Sequence, residues 1–267
     1  MAALKALLWD VDGVLAESER DGHRVAFNRA FETCGLAWRW DEAHYGELLR
    51  ITGGRERLLH DMRWRTDAPA MADERDALSR ELHSLKNGFY AELVREGRIA
   101  LRAGVHELMQ ECRQQGTRMG IVTTTSRTNV EVLLRTHLGG SWMEWFSVVV
   151  CGEDVQRKKP DPQAYLIALD ALSALGIGPL QTVAIEDSPG GVAAAAAADI
   201  PVIVTRSAYF ADASIDSAIA IGPGLHERSG WRPALHGAPG GATTVGLADI
   251  EGWAAQMESV SQFGETL

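Results

Sequence analysis

Ala6-Leu7-Leu8-Trp9-Asp10-Val11-Asp12-Gly13-Val14-Leu15 is the stretch that decides the fold of this chain. An apolar run ends abruptly on two aspartates and a glycine. Unbroken apolarity, rather than alternation, suits a strand covered on both faces, as in a parallel sheet between helices. Similar runs return at residues 119–122, 148–150, 182–185 and 202–204. Helical patterns at 105–115, 129–135, 162–175 and 190–198 lie around and between them and supply right-handed crossovers. This alternation makes the chain α/β, with a doubly wound, Rossmann-like parallel sheet. The alanine run 193–198 fits that architecture, because alanine favours helix and lets it lie close on a sheet.

Between the first two strands, residues 16–97 show helical spacing, many charges and no strand. They read as an inserted α-helical cap domain, leaving 1–15 and 98–267 as the catalytic core. Val25, Phe27, Ala30 and Phe31 can form the apolar stripe of the insertion, and the polar stretch 63–75, with Pro69, reads as a turn between helices. Hinges are expected near 15–19 and 96–103. Residues 222–246, rich in Gly and Pro, are expected to form a surface loop, followed by a terminal helix over 247–257.

The 267 residues carry 26 Lys+Arg against 36 Asp+Glu, a net charge of −10. That balance disfavours nucleic acid and anionic membranes as partners. It leaves a phosphorylated small molecule open, because a divalent cation and a few placed basic groups can reverse the local field. Cys34, Cys112 and Cys151 have no metal-ligand spacing and read as reduced thiols of a cytoplasmic protein. The first residues lack the basic start and cleavage region of a signal peptide, and no apolar span reaches the roughly 18 residues of a membrane helix.

Asp10 and Asp12 leave a central strand at its carboxyl end, where open parallel sheets bind ligands. Two residues apart on a strand means about 6–7 Å. At that spacing one carboxylate can attack phosphorus while the other protonates the departing oxygen. The hydroxyls of Thr123-Thr124-Thr125-Ser126, with backbone N–H groups, can hold phosphate oxygens. Lys158-Lys159-Pro160 places a lysine where it can neutralise both the phosphoryl group and the attacking carboxylate. Glu186-Asp187 places two carboxylates at another strand end, the oxygen donors that a hard cation such as Mg²⁺ prefers.

In that order, the four segments resemble the haloacid dehalogenase superfamily, whose motifs are Asp-x-Asp, a Ser/Thr, a Lys and an acidic pair. The resemblance implies Asp10 as aspartyl-phosphate nucleophile and Asp12 as acid/base, with Thr124 as phosphate-binding hydroxyl and Lys159 as charge stabiliser. It implies Mg²⁺ held by Asp10, Asp187 and the Asp12 carbonyl, with Glu186 as a further ligand. The stretch from Asp10 to Phe27, and Tyr45-Gly46-Glu47-Leu48-Leu49-Arg50-Ile51-Thr52-Gly53-Gly54-Arg55-Glu56, are similar to the CbbY type of this superfamily and its plant-like relatives. These include phosphatases for xylulose 1,5-bisphosphate, a misfire product that inhibits Rubisco. By that likeness Glu17, His23, Tyr45, Arg50, Thr52, Gly53, Gly54, Arg55 and Lys86 line the cap side of a sugar-phosphate pocket, and Thr125 and Ser126 the core side. Arg50 or Arg55 would clamp a second phosphate. The nearest competitor is β-phosphoglucomutase, which shares the core motifs, a cap histidine and a Lys-Asn like Lys86-Asn87. A non-catalytic sugar-phosphate-binding regulator would be marked by loss of Asp10, Asp12, Lys159 or Asp187, and all four are present. No obligate protein partner is expected.

Overall fold

Alternation along the first strand assigns its side chains to two separate cores. In a computed structural model, which describes residues 3–235 and 242–264, Leu7 and Trp9 face one side of a sheet and Ala6 and Leu8 the other. The sheet has six parallel strands: β1 (Ala6–Trp9), β2 (Arg118–Val122), β3 (Val148–Val150), β4 (Thr182–Glu186), β5 (Val202–Thr205) and β6 (Ala220–Gly222). Their order is β3-β2-β1-β4-β5-β6, with Trp9 opposite Ile121 on one side and Ile185 on the other. The winding reverses at β1, so a crevice opens beyond the carboxyl end of the strand that carries Asp10.

Below the helices in chain order, the insertion begins with a single π turn, Glu19–His23, that runs into α1 (Arg24–Thr33). It continues through α2 (Glu42–Leu48), α3 (Gly54–Met62) and α4 (Ala72–Arg95). Its own core is aromatic: the Trp40 ring lies 4.8 Å from Phe27 and 5.0 Å from Phe31. The two chain crossings into the insertion touch, with Arg102 N donating to Leu15 O at 2.8 Å. On the core, α5 (Val105–Gln115), α6 (Arg127–Leu138) and α9 (Leu247–Gly264) cover the Leu7 face, and α7 (Gln163–Ser173) and α8 (Pro189–Ala196) the Leu8 face.

Two features depart from the sequence reading. The sixth strand, β6, is only three residues long and continues the apolar stretch Ala218-Ile219-Ala220-Ile221, which the sequence reading passed over. The expected surface loop over 222–246 is partly core. Residues 236–241 of it lie outside the described residues, but Leu225, Trp231 and Val245 are buried, and Ile221 and Arg232 exchange backbone hydrogen bonds of 2.9 and 2.8 Å. Trp231 stacks on Trp253 of α9 at 4.6 Å, so one large aromatic anchors a segment whose Gly and Pro content suggested exposure. Cys112 and Cys151 are buried and all three cysteines are free. Among the described residues no helix is long and apolar enough to cross a membrane.

Candidate active site

Beyond Trp9 the strand geometry persists for one residue, Asp10 N donating to Ile185 O at 3.1 Å. The chain then folds into one tight turn: Leu15 N and Ala16 N both donate to Val11 O, and Gly13 N donates to Ala16 O. Gly13 sits at φ +88°, and a Cβ there would overlap the Asp187 carboxylate. Glycine is required on both counts.

The nucleophile candidate lies in a dense cluster of charge. Lys159 Nζ donates to Asp10 Oδ1 at 2.8 Å, Glu186 Oε1 at 2.5 Å and Val122 O at 2.7 Å, which uses all three of its protons. Tyr165 OH donates to the same Glu186 oxygen at 2.5 Å, leaving Glu186 Oε2 buried without a partner. Asp10, Glu186 and Asp187 bring ligand oxygens within 4.8 Å of one another. One ammonium cannot neutralise three carboxylates. Burial therefore pushes Asp10 up to about 8, with Glu186 adding to the effect and Lys159 opposing it, and burial beside Asp10 holds Asp187 well above the carboxylate range. An all-oxygen, partly unsatisfied and over-charged trio suits a hard divalent cation.

Asp12 is held differently. Its Oδ1 accepts from Ser18 Oγ at 2.5 Å and from His23 Nε2 at 2.9 Å. Burial works against its charge, yet His23 and Ser18 outweigh it and keep the carboxyl below its ordinary range. His23 is itself buried, stacked on Tyr90 at 4.3 Å.

Between core and insertion lies a two-lobed cleft. The nucleophile lobe, about 310 Å³, is lined by Asp10, Asp12, Thr124, Lys159, Asp187 and, from above, Arg50 and Thr52. A second, more basic lobe of about 200 Å³ is reached past Asp12, Glu19, Arg57 and Thr124, which border both. It holds His23, Gly53, Gly54, Arg55, Lys86, Thr125 and Ser126. Ser126 Oγ and Asn129 Oδ1 are buried there without a protein partner. Thr123, by contrast, is buried below the floor and accepts from Thr125 N. Lys158 turns away from the cluster that Lys159 enters and pairs with Glu56 of α3 at 2.6 Å.

Several cap-side expectations need correction. Glu17 lines neither lobe; it accepts from Ala208 N at 3.2 Å and faces Arg102 at 3.7 Å. Glu19 stands in the cleft instead. Tyr45 is fully buried among Phe27, Trp40 and Tyr209, and its hydroxyl donates to Glu19 Oε2 at 2.5 Å, so it supports the wall rather than forming it. Arg55 is drawn aside to Asp76 and to Ser79 Oγ at 3.1 Å, and the largely exposed Arg50 pairs with Glu47. The buried cap arginine is Arg57, which grips Glu19 at 3.1 Å and donates to Tyr45 OH and Ile51 O. Its signal was available: α3 begins at Gly54, so residue 57 shares the inward face with Leu58 and Asp61. Lys86, at the basic lobe, is buried over the Phe27 and Tyr90 rings, and burial lowers it to about 8.

A Rossmann-like core with a carboxylate–lysine centre under a helical cap defines a class, and the comparisons agree with it. The family model for haloacid dehalogenase-like hydrolases matches residues 4–199, and the chain belongs to that family. Within it the similarity runs to CbbY. The plasmid CbbY protein of Cupriavidus necator is 36% identical over 251 residues, covering 94% of this chain and 96% of that one. CbbY of Rhodobacter capsulatus is 40% identical over 206 residues, 77% of this chain and 87% of that one. A crystal structure of a CbbY mutant from Rhodobacter sphaeroides in complex with xylulose 1,5-bisphosphate matches with a TM-score of 0.77 at 36% identity, covering 85% of this chain and 96% of that one.

Proposed function

We propose that this chain is a Mg²⁺-dependent sugar-phosphate phosphatase acting through an aspartyl phosphate on Asp10, with xylulose 1,5-bisphosphate as its substrate and removal of a Rubisco inhibitor as its purpose. The observation that carries the chemistry is the buried cluster in which Lys159 bridges Asp10 and Glu186 beside Asp187. Asp10, Asp187 and the Asp12 carbonyl would hold Mg²⁺, with Glu186 as a further ligand. When bound, the ion supplies positive charge to the phosphoryl oxygens and the attacking carboxylate.

The need for that charge is one of magnitude. A carboxylate approaching an anionic phosphate is repelled by about 4 kcal/mol per charge pair at 4 Å and an effective dielectric of 20. Lys159 and the Thr124 hydroxyl offset part of this from the core. The Asp10 carboxylate attacks phosphorus in line and the ester P–O bond breaks; Asp12, held ionised by His23 and Ser18 until substrate arrives, takes up a proton as the anionic phosphate raises its pKa and delivers it to the leaving sugar oxygen. In the second half, Asp12 takes a proton from water, which attacks phosphorus, releases phosphate and regenerates Asp10. His23 and Ser18 aim the Asp12 carboxylate throughout. The basic lobe receives the second phosphate on Lys86, Ser126 and Asn129, and Glu19, fixed by Arg57 and Tyr45, faces the sugar hydroxyls.

The test is phosphate release from xylulose 1,5-bisphosphate beside ribulose 1,5-bisphosphate, phosphoglycolate and β-glucose 1-phosphate, with Mg²⁺ and with chelator. Preference for the xylulose ester, abolished by chelator, is expected. Conversion of β-glucose 1-phosphate to glucose 6-phosphate without phosphate release would replace the phosphatase by a mutase on the same core.

A further inference from the structure

The five residues after β5, 206–210, connect the metal-site edge of the core to the insertion. Ser207 is buried and hydrogen-bonds the Asp187 carboxylate. Ala208 N donates to Glu17 at the first chain crossing, and the Arg206 carbonyl accepts from Arg102 Nη2 at 2.6 Å at the second. The Arg206 guanidinium closes the turn on itself, donating to Phe210 O at 2.9 Å and Ala213 O at 2.6 Å. So held, the turn projects two aromatic rings upward. Tyr209 lies 5.8 Å from the Tyr45 ring and so near α2 that a Cβ on Gly46 would sit 3.2 Å from it. Both Tyr209 and Phe210 pack on the aromatic core of the insertion, and Phe210 also walls the nucleophile lobe.

We propose that segment 206–210 is a clasp that holds the cap shut over the cleft, with Tyr209 as the positioning residue that seats α2 and, through Tyr45, sets Glu19 against the substrate. At seven residues α2 is too short to be stable alone, so its place depends on what it packs against. Gly46 supplies the absent side chain that lets the Tyr209 ring approach. Tyr45 then passes the position on through its hydroxyl to Glu19 at 2.5 Å.

The catalytic consequence rests on the phosphatase reading, so the experiment separates the two. Tyr209→Ala and Tyr209→Phe are compared with the unaltered chain in two assays. The first is the ratio of kcat/KM for xylulose 1,5-bisphosphate, which needs the closed cleft, to that for p-nitrophenyl phosphate, which does not. Tyr209→Ala is expected to lower the ratio about ten-fold, mainly through KM, while Tyr209→Phe, which keeps the ring, stays near the starting value. The second is hydrogen exchange without ligand, where amides of α2 exchange faster in Tyr209→Ala only, and β1 and β4 stay protected. Equal loss on both esters, or unchanged exchange at α2, would overturn the clasp. If the unaltered chain releases phosphate from neither ester, the phosphatase reading falls and exchange at α2 alone decides the clasp.

Discussion

Lys86 shows how one residue can be costly to the fold and useful to the site. Desolvation dominates its environment and lowers it to about 8, although Glu19 and Asp12 favour its charge. It is charged below that value and neutral above, so binding of an anionic distal group weakens as pH rises through about 8. A bound anion restores the charge, which places the effect in kcat/KM rather than kcat. Lys86→Met is expected to lower kcat/KM at pH 7 by about 10- to 100-fold, the worth of a charge-assisted hydrogen bond. The alkaline limb that Lys86 contributes should vanish with it. The same variant should raise the melting temperature at pH 7, because the unfolded chain keeps this lysine protonated up to the ordinary value while the folded chain pays to bury the charge.

At the scale of elements, the turn after β1 is the least tolerant. Gly13→Ala meets an unfavourable φ, worth about 1–2 kcal/mol, and drives a methyl into the Asp187 carboxylate. Calorimetry is expected to show Mg²⁺ affinity reduced well beyond the loss of stability. Legibility in the sequence followed the same scale. β1 through β5 were readable because a doubly covered parallel strand must be continuously apolar. β6 was passed over although Ala218-Ile219-Ala220-Ile221 is an apolar run as long as that of β1, because it leads straight into the Gly/Pro-rich stretch that reads as loop. Asp10, Asp12 and Asp187 stood out in the sequence because they follow apolar strands directly, and Lys159 because it precedes the proline of the turn before α7. On the cap, Glu19, the first residue of the π turn, reaches the cleft, while Glu17, two residues before that turn, is held outside it by Ala208 N and Arg102. Arg50 and Arg55 flank the glycine pair in sequence, yet helical geometry sends Arg57 inward and ties Arg55 to Asp76.

For the whole molecule, the proposed Mg²⁺ site would link stability, protonation and metal binding through the carboxylate trio. In the metal-free protein, Asp10 is raised from 3.8 to about 8. Stability from this group is present at low pH and is lost as pH climbs between those values, because the unfolded chain gives up its proton first. A cation binds the ionised form, so Mg²⁺ affinity should rise with pH through about 8 and binding should release protons, read as a buffer-dependent heat in calorimetry. At a hundred times its Kd, Mg²⁺ is expected to raise the melting temperature by about 5–10 °C, reversed by chelator. The central claim, covalent catalysis by Asp10, has a more direct test in the Asp12→Asn variant with p-nitrophenyl phosphate and Mg²⁺. That leaving group needs no acid, so the first half-reaction proceeds, while the second lacks its base. Acid quench and peptide mass spectrometry should find one phosphoryl group on Asp10, absent when Asp10→Asn is added. No adduct on Asp10, together with undiminished turnover in Asp10→Asn alone, would contradict the mechanism.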